Sequence, residues 1–319
     1  MKLVVLERNS VGTDVDVSCF ERFGEVEYYP NTVAENTAER VKDADIVIAN
    51  KAPMNENTLK DAPNVKLICL FATGFDNVDL AYCKSRGIKV ANVVNYSTAA
   101  VVQHTILLAL ALEEKLVHYD NYVKSGEYGA QDRFSNFDRP FGELDGKTWG
   151  IVGMGNIGRG VAKVAQALGC KVIFYSAAGK STCTDYTRVA FDELLSQSDI
   201  LSLHCPLSDR TRGLINKEAF SKMKKSAILV NVARGPVVDT QALYDALTQG
   251  RIAAAGLDVL EKEPISRDNP LNEIKDSTKL IITPHLAWAS TEARERLVDE
   301  VVKNIQAFLD GEDRNVVNK

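Results

Sequence analysis

The chain has 319 residues, 45% of them hydrophobic and 25% charged, with a formal net charge of -5. That length accommodates two ordinary domains with large cores, and the acidic balance argues against a nucleic-acid surface and against an anionic membrane surface. No apolar run approaches the roughly 18–20 residues needed to cross a bilayer, and the N-terminal "MKLVVLERN" lacks a signal peptide's long apolar region and small-residue cleavage site.

Strand-like apolar runs and helix-length segments alternate along the chain. The runs are "KLVVL" (2–6), "DIVIAN" (45–50), "VKLICLF" (65–71), "IKVANV" (88–93), "TWGIVG" (148–153), "KVIFYS" (171–176), "DILSLH" (199–204), "SAILVNV" (226–232), "AAAGLDV" (253–259) and "KLIIT" (279–283). Helical segments include 98–118, with the apolar "TILLALAL" inside it, then 157–168, 240–248 and 291–309. Strands without polar alternation, separated by helices, indicate parallel sheets covered on both faces. The expected fold is α/β: two doubly wound parallel-sheet domains of Rossmann or flavodoxin type with a cleft between them. Natural crossing points near Thr98 and after His285 make one domain discontinuous, residues 1–98 plus 286–319, and leave 99–285 as the other. The six cysteines, at 19, 69, 83, 170, 183 and 205, form no C-x-x-C pair. They read as reduced thiols of a cytoplasmic protein, and no metal site is expected.

Gly153, Gly155 and Gly158 stand in G-x-G-x-x-G spacing. The pattern follows a strand and opens a helix that leads to a second strand, which is the context a dinucleotide-binding turn requires. The first glycine permits the tight turn, the second lets the backbone approach a pyrophosphate, and the third lets helix and strand pack closely. The pyrophosphate would meet the helix N-terminus, where free N–H groups favour an anion. An acidic residue that would bind the adenosine ribose is missing at the end of the second strand, where Ser176 stands, followed by Ala177, Ala178, Gly179, Lys180 and Ser181. The coenzyme is therefore NAD or NADP, with a lean to NADP from Ser176 and Lys180.

Arg234, Glu263 and His285 each follow a strand of the second half. In a doubly wound sheet, ligands bind outside the carboxyl ends of the strands. A guanidinium grips a carboxylate through two parallel hydrogen bonds. An imidazole exchanges protons near neutral pH, and a carboxylate beside it favours the imidazolium. With a nicotinamide, these groups suit reduction of a 2-keto acid. Taken singly, Glu263 also reads as a solvated loop charge beside Glu261 and Lys262, and His285 as a satisfied loop histidine. His104, His118 and His204 read as structural.

Six stretches in this order, "ATGFDNVDL" (72–80), "NYSTAAVVQHT" (95–105), "GIVGMGNIGRG" (150–160), "LVNVARGPVVD" (229–239), "AGLDVLEKEP" (255–264) and "TPHLAWAS" (283–290), carry a resemblance over essentially the whole chain. It resembles the D-isomer-specific 2-hydroxyacid dehydrogenases. "NYST" and "HLAWAS" point to the glycerate dehydrogenase or hydroxypyruvate reductase branch. The resemblance implies a nucleotide-binding domain inserted into a smaller catalytic domain, an interdomain helix at 98–118, and a homodimer. It implies that Arg234 binds the substrate carboxylate and helps polarise the carbonyl, that His285 is the acid–base, and that Glu263 is its partner. Thr73 and Gly74 would meet the carboxylate from the small domain. Asn156 and Ile157 would cover the pyrophosphate, Cys205, Pro206 and Val232 would line the adenosine and ribose side, and Asp258 would hold the carboxamide of the nicotinamide.

Ser176 departs from NAD-specific members, and with the sequence ending at 319 the regulatory domain of longer phosphoglycerate dehydrogenases is not expected. Glu263 differs from the Gln of the related formate dehydrogenases. A rival reading is a dinucleotide-sensing corepressor of the same fold. Such proteins also keep an Arg, a Glu and a His, but they carry extra terminal segments. A Rossmann enzyme acting on a non-acidic substrate leaves Arg234 unexplained.

Overall fold

A computed structural model of the protein describes residues 1–179 and 181–319, so the expectation placed on Lys180 lies outside the described residues. The chain divides into two compact units, Met1–Ser97 with Trp288–Lys319, and Thr98–Ala287.

The first unit is built on β1 (Lys2–Val5), β2 (Glu25–Tyr28), β3 (Ile46–Ala49), β4 (Leu67–Leu70) and β5 (Lys89–Ala91). They form a wholly parallel sheet in the order β2-β1-β3-β4-β5. Every residue of β3 and β4 is buried, which is why the sequence there is an unbroken apolar run. By contrast β2, "EVEY", is a half-exposed edge strand whose charges hide it from a search for apolar runs. Helices α1 (Ala34–Val41), α2 (Glu56–Leu59) and α3 (Leu80–Ser85) connect the strands. The C-terminal helix Thr291–Leu309 returns to this unit and buries Leu297, Val298, Val301 and Ile305 as one stripe. Residues 316–318 then add to the free edge of β5, with Val317 N bonded to Val90 O at 2.9 Å.

The second unit holds seven parallel strands, β6 (Thr148–Val152), β7 (Lys171–Tyr175), β8 (Thr187–Arg188), β9 (Ile200–Leu203), β10 (Ile228–Asn231), β11 (Ala254–Leu257) and β12 (Leu280–Ile282). Their order is β12-β11-β10-β9-β6-β7-β8, so the winding reverses between β9 and β6. Its helices are α4 (Thr98–Glu113), α5 (Leu116–Lys124), α6 (Glu127–Ala130), α7 (Asn156–Ala167), α8 (Phe191–Gln197), α9 (Lys217–Lys222) and α10 (Thr240–Thr248). The segment 98–118, expected as one helix, is two. Glu113 is pinned to Lys147 Nζ at 2.6 Å, Lys115 takes a left-handed conformation at φ 55°, and its ammonium caps the Leu112 carbonyl. Beyond that break the chain leaves the sheet and α5 buries no residue. Before it, α4 is buried at Val101, His104, Thr105, Leu108, Ala109, Ala111 and Leu112. It lies on β10 and β11, where a Cβ on Gly256 would come within 3.1 Å of Leu108 Cβ. No described helix is long and apolar enough to cross a membrane.

Candidate active site

The reversal between β6 and β9 is where an open α/β sheet leaves a crevice. The glycine turn lies there. Gly153, just past β6, has φ 95°, and a Cβ on it would stand 2.9 Å from the backbone of His204 and Cys205 at the end of β9. Only glycine satisfies both conditions. A Cβ on Gly158 would collide with the Gly153 carbonyl oxygen, so the third glycine lets α7 seat against the turn. Gly155 differs from both: a Cβ there meets nothing within 4 Å. It is also the N-cap of α7, with no side-chain cap, so the helix opens at Asn156 and Ile157. These residues fit a dinucleotide pyrophosphate, because the helix end can satisfy an anion and the turn gives it room.

Ser176 follows β7 and is buried, and its carbonyl accepts from Gly179 N at 3.0 Å to close a turn. Two guanidinium groups reach this neighbourhood from elsewhere: Arg188 donates to Gly179 O at 3.1 Å, and Arg159 of α7 to Thr182 Oγ1 at 3.2 Å. Neither was legible as a partner of the loop, since strand pairing and helix phase bring them there. Cys205 and Val232 are buried, whereas Pro206 is exposed and bonded through its carbonyl to Thr211 Oγ1 at 2.7 Å. Burial pushes the Cys205 thiol up to about 11, which keeps it protonated and unreactive near neutral pH.

Arg234 sits two residues past Val232 and in extended conformation, with Nη1 on Ala233 O at 2.7 Å and its carbonyl held by Asn231 Nδ2 at 3.0 Å. Its neighbour Gly235 lies so close to Leu260 that a Cβ would strike the Leu260 carbonyl. Leu260 N in turn donates to Glu263 Oε1 at 2.9 Å, and Glu263 Oε2 meets His285 Nδ1 at 2.6 Å. The loops after β10, β11 and β12 are thus tied in series, and Glu263 and His285 form a short pair with side chains 32% and 27% exposed. A carboxylate only accepts, so His285 Nδ1 carries its proton toward Glu263 and Nε2 is the nitrogen available for exchange.

Asp258, 2% exposed, accepts from Leu286 N and Ala287 N, each at 2.9 Å, and from Thr283 Oγ1 at 2.6 Å. His104, read from the sequence as merely structural, lies against this group with Nε2 2.9 Å from Thr283 Oγ1. Thr73 and Gly74 belong to the first unit, where Thr73 Oγ1 donates to Val93 O at 2.7 Å and Asn92 Nδ2 to Thr73 O at 2.7 Å. No cluster of His, Cys, Asp and Glu able to hold a metal occurs among the described residues.

A glycine turn opening an uncapped helix at the switch point, with a carboxylate–imidazole pair on the loops of the same sheet, defines a nucleotide-dependent dehydrogenase. Residues 106–287 match the family described as D-isomer specific 2-hydroxyacid dehydrogenase, NAD binding domain. The chain is 43% identical over 325 residues to the hydroxypyruvate reductase of Blautia hydrogenotrophica, with 100% of each covered. It is 41% identical over 317 residues to the glycerate dehydrogenase of Methylorubrum extorquens, covering 99% of this chain and 98% of that one. A crystal structure of D-lactate dehydrogenase from Aquifex aeolicus complexed with NAD and lactic acid matches with a TM-score of 0.85 and 32% identity, over 98% of this chain and 96% of that one. The chain belongs to the D-isomer specific 2-hydroxyacid dehydrogenase family. It is an oxidoreductase that transfers a hydride between a nicotinamide coenzyme and a small 2-keto or D-2-hydroxy acid.

Proposed function

We propose that His285 is the acid–base of this reaction, Glu263 its charge partner, and Arg234 the group that binds the substrate carboxylate, with Thr73 and Gly74 adding donors to that carboxylate. The observation that carries the reading is the 2.6 Å bond between His285 Nδ1 and Glu263 Oε2. It fixes the tautomer, with Nδ1–H on Glu263, and leaves Nε2 to exchange a proton with the carbonyl oxygen as the carbonyl carbon is reduced. Arg234 orients the keto acid by a two-pronged grip and draws charge toward the developing alkoxide. The bound nicotinamide supplies the hydride. Gly153, Gly155, Gly158, Asn156 and Ile157 hold its pyrophosphate, Cys205, Pro206 and Val232 line the adenosine side, and Asp258 receives the carboxamide.

The relatives named hydroxypyruvate reductase and glycerate dehydrogenase make hydroxypyruvate the leading substrate. Ser176 lacks the charge that would repel a 2′-phosphate, and Arg188 and Arg159 stand at the same loop, so the coenzyme lean is to NADPH. In the stretch 116–141, Phe134, Phe137 and Phe141 are 90%, 71% and 55% exposed. Apolar area of that kind suits a second copy of the chain and supports a homodimer. Six free thiols suit the reducing cytoplasm.

The test is steady-state kinetics on hydroxypyruvate, glyoxylate and pyruvate with each coenzyme, repeated for His285→Gln. General acid–base loss should lower kcat by about 10²–10⁴-fold while coenzyme affinity holds. A variant as fast as the parent would sink the assignment.

A further inference from the structure

Three consecutive backbone N–H groups converge on one residue. His285 N donates to the Asp258 carbonyl, Leu286 N to Asp258 Oδ1 and Ala287 N to Asp258 Oδ2, each at 2.9 Å. The convergence goes with a left-handed His285, φ 54°. A non-glycine residue keeps that conformation only where its surroundings over-determine it. What holds Asp258 therefore also holds His285.

The Asp258 side chain is 1% exposed, so its charge depends on partners other than water. A carboxylate only accepts, which makes the Thr283 hydroxyl the donor in the 2.6 Å contact with Oδ1. That hydroxyl has one proton to give. His104 Nε2, 2.9 Å from Thr283 Oγ1, must therefore donate to it. Burial holds His104 below the ordinary imidazole value, against the opposing pull of Asp258, so near neutral pH it carries a single ring proton. The order is then His104 Nε2–H to Thr283 Oγ1–H to Asp258 Oδ1. His104 itself is buried, on a helix that is also buried before and after it.

We propose that His104 is a positioning residue for the hydride transfer: acting through the Thr283 hydroxyl, it sets the Asp258 carboxylate and with it the backbone that aims His285. This rests on the reading of His285 as the acid–base. With Leu286 N and Thr283 Oγ1 on Oδ1 and Ala287 N on Oδ2, one acceptor position of Oδ2 remains, and the carboxamide of the coenzyme would take it. One carboxylate then references both the proton donor and the hydride donor.

The test compares His104→Leu, His104→Gln and Thr283→Val in the full-length enzyme, with reduced coenzyme deuterated at the transferred position. His104→Leu and Thr283→Val should each lower kcat by about tenfold to a hundredfold, the scale of a misplacement near 1 Å, with keto-acid KM within about twofold. The deuterium isotope effect on kcat should rise in both. His104→Gln, whose amide N–H reaches the Nε2 position, should restore at least about a third of the parent rate, and the double variant should be no slower than its slower parent, since both cut one relay. Unchanged kcat in His104→Leu, a His104→Gln as slow as His104→Leu, or a loss confined to KM would each overturn the proposal. Should His104→Leu fail to fold, Thr283→Val, which exchanges a hydroxyl for a methyl, carries the same outcomes. A His285→Gln as fast as the parent defeats the acid–base reading itself, whereas a His285→Gln slowed by about a hundredfold or more beside a fast His104→Leu defeats only the positioning role.

Discussion

Each unit has a point where the strand order turns back, between β1 and β3 in the first and between β6 and β9 in the second. The two points present backbone donors of the same kind and satisfy them differently. In the first, Glu7, two residues past β1, turns a buried carboxylate onto the chain after β3. Its Oε2 accepts from Asn50 N at 2.6 Å, Lys51 N at 2.9 Å and Ala52 N at 3.1 Å. The anion at that switch point is the chain's own. In the second, the corresponding place is a glycine turn whose middle residue faces open space, at the head of a helix that no side chain caps. The comparison shows that a doubly wound sheet offers an anion site, and that one side chain decides whether a ligand or the protein fills it.

The largest effect should come from giving the second switch point an anion of its own. Gly155→Asp needs no unusual backbone, since φ is -80° and a Cβ meets nothing. It should weaken coenzyme binding by about a hundredfold or more by fluorescence titration, through repulsion of the pyrophosphate at the helix end. The melting temperature should stay put, and a Kd within a few-fold of the parent's would erase the contrast between the two points. The reverse experiment is Glu7→Gln. Half of the amide would turn donors onto donors, so stability should fall by about 2 kcal/mol in denaturant unfolding, while coenzyme Kd is unmoved. An equally stable Glu7→Gln would show that the first switch point does not need its internal anion.

Acid should separate the two regions further. His204, at the end of β9 beside the glycine turn, has its Nδ1 sealed from solvent without a partner among the described residues, and burial pushes it down to about 3. The unfolded chain takes up this proton below about 6.5, whereas the folded one waits until about 3. Stability is therefore whole above pH 6.5 and falls by about 1.4 kcal/mol per unit as pH drops through that window. Replacing His204→Gln should flatten this part of the curve, and a parallel curve would mean the imidazole is charged without penalty. The smallest effect concerns the loop after β7. Ser176→Asp should shift preference toward NADH by about tenfold, since a carboxylate repels a 2′-phosphate, and a kcat/KM ratio left unchanged would place the 2′ position elsewhere.

Much of this was legible before any coordinates. The runs at 45–50 and 65–71 became β3 and β4 because strands buried on both faces can only be apolar. The strand β2 was not legible, because an edge strand with one wet side tolerates the charges of "EVEY". Neither was the break at Lys115. Local spacing continues the apolar pattern of α4, and the break depends on Glu113 finding Lys147 from a distant part of the chain.

The site divides in the same way. Sequence alone determined the glycine turn, because φ 95° at Gly153 and the contact of Gly158 with the Gly153 carbonyl leave no other residue type. It also marked Arg234, Glu263 and His285, since each follows a strand of the second half and an open α/β sheet binds ligands outside the carboxyl ends of its strands. Only the tertiary structure decided that Glu263 and His285 pair through Nδ1, that Gly235 ties the loops after β10 and β11 together, and that Arg188 and Arg159 face the loop after Ser176. It alone moved His104 from a helix interior to the head of a relay ending at Asp258. The physical reason is range: backbone conformation and burial are set by neighbours in sequence, whereas a hydrogen bond between residues 104 and 283 exists only once the sheet has brought α4 and β12 together.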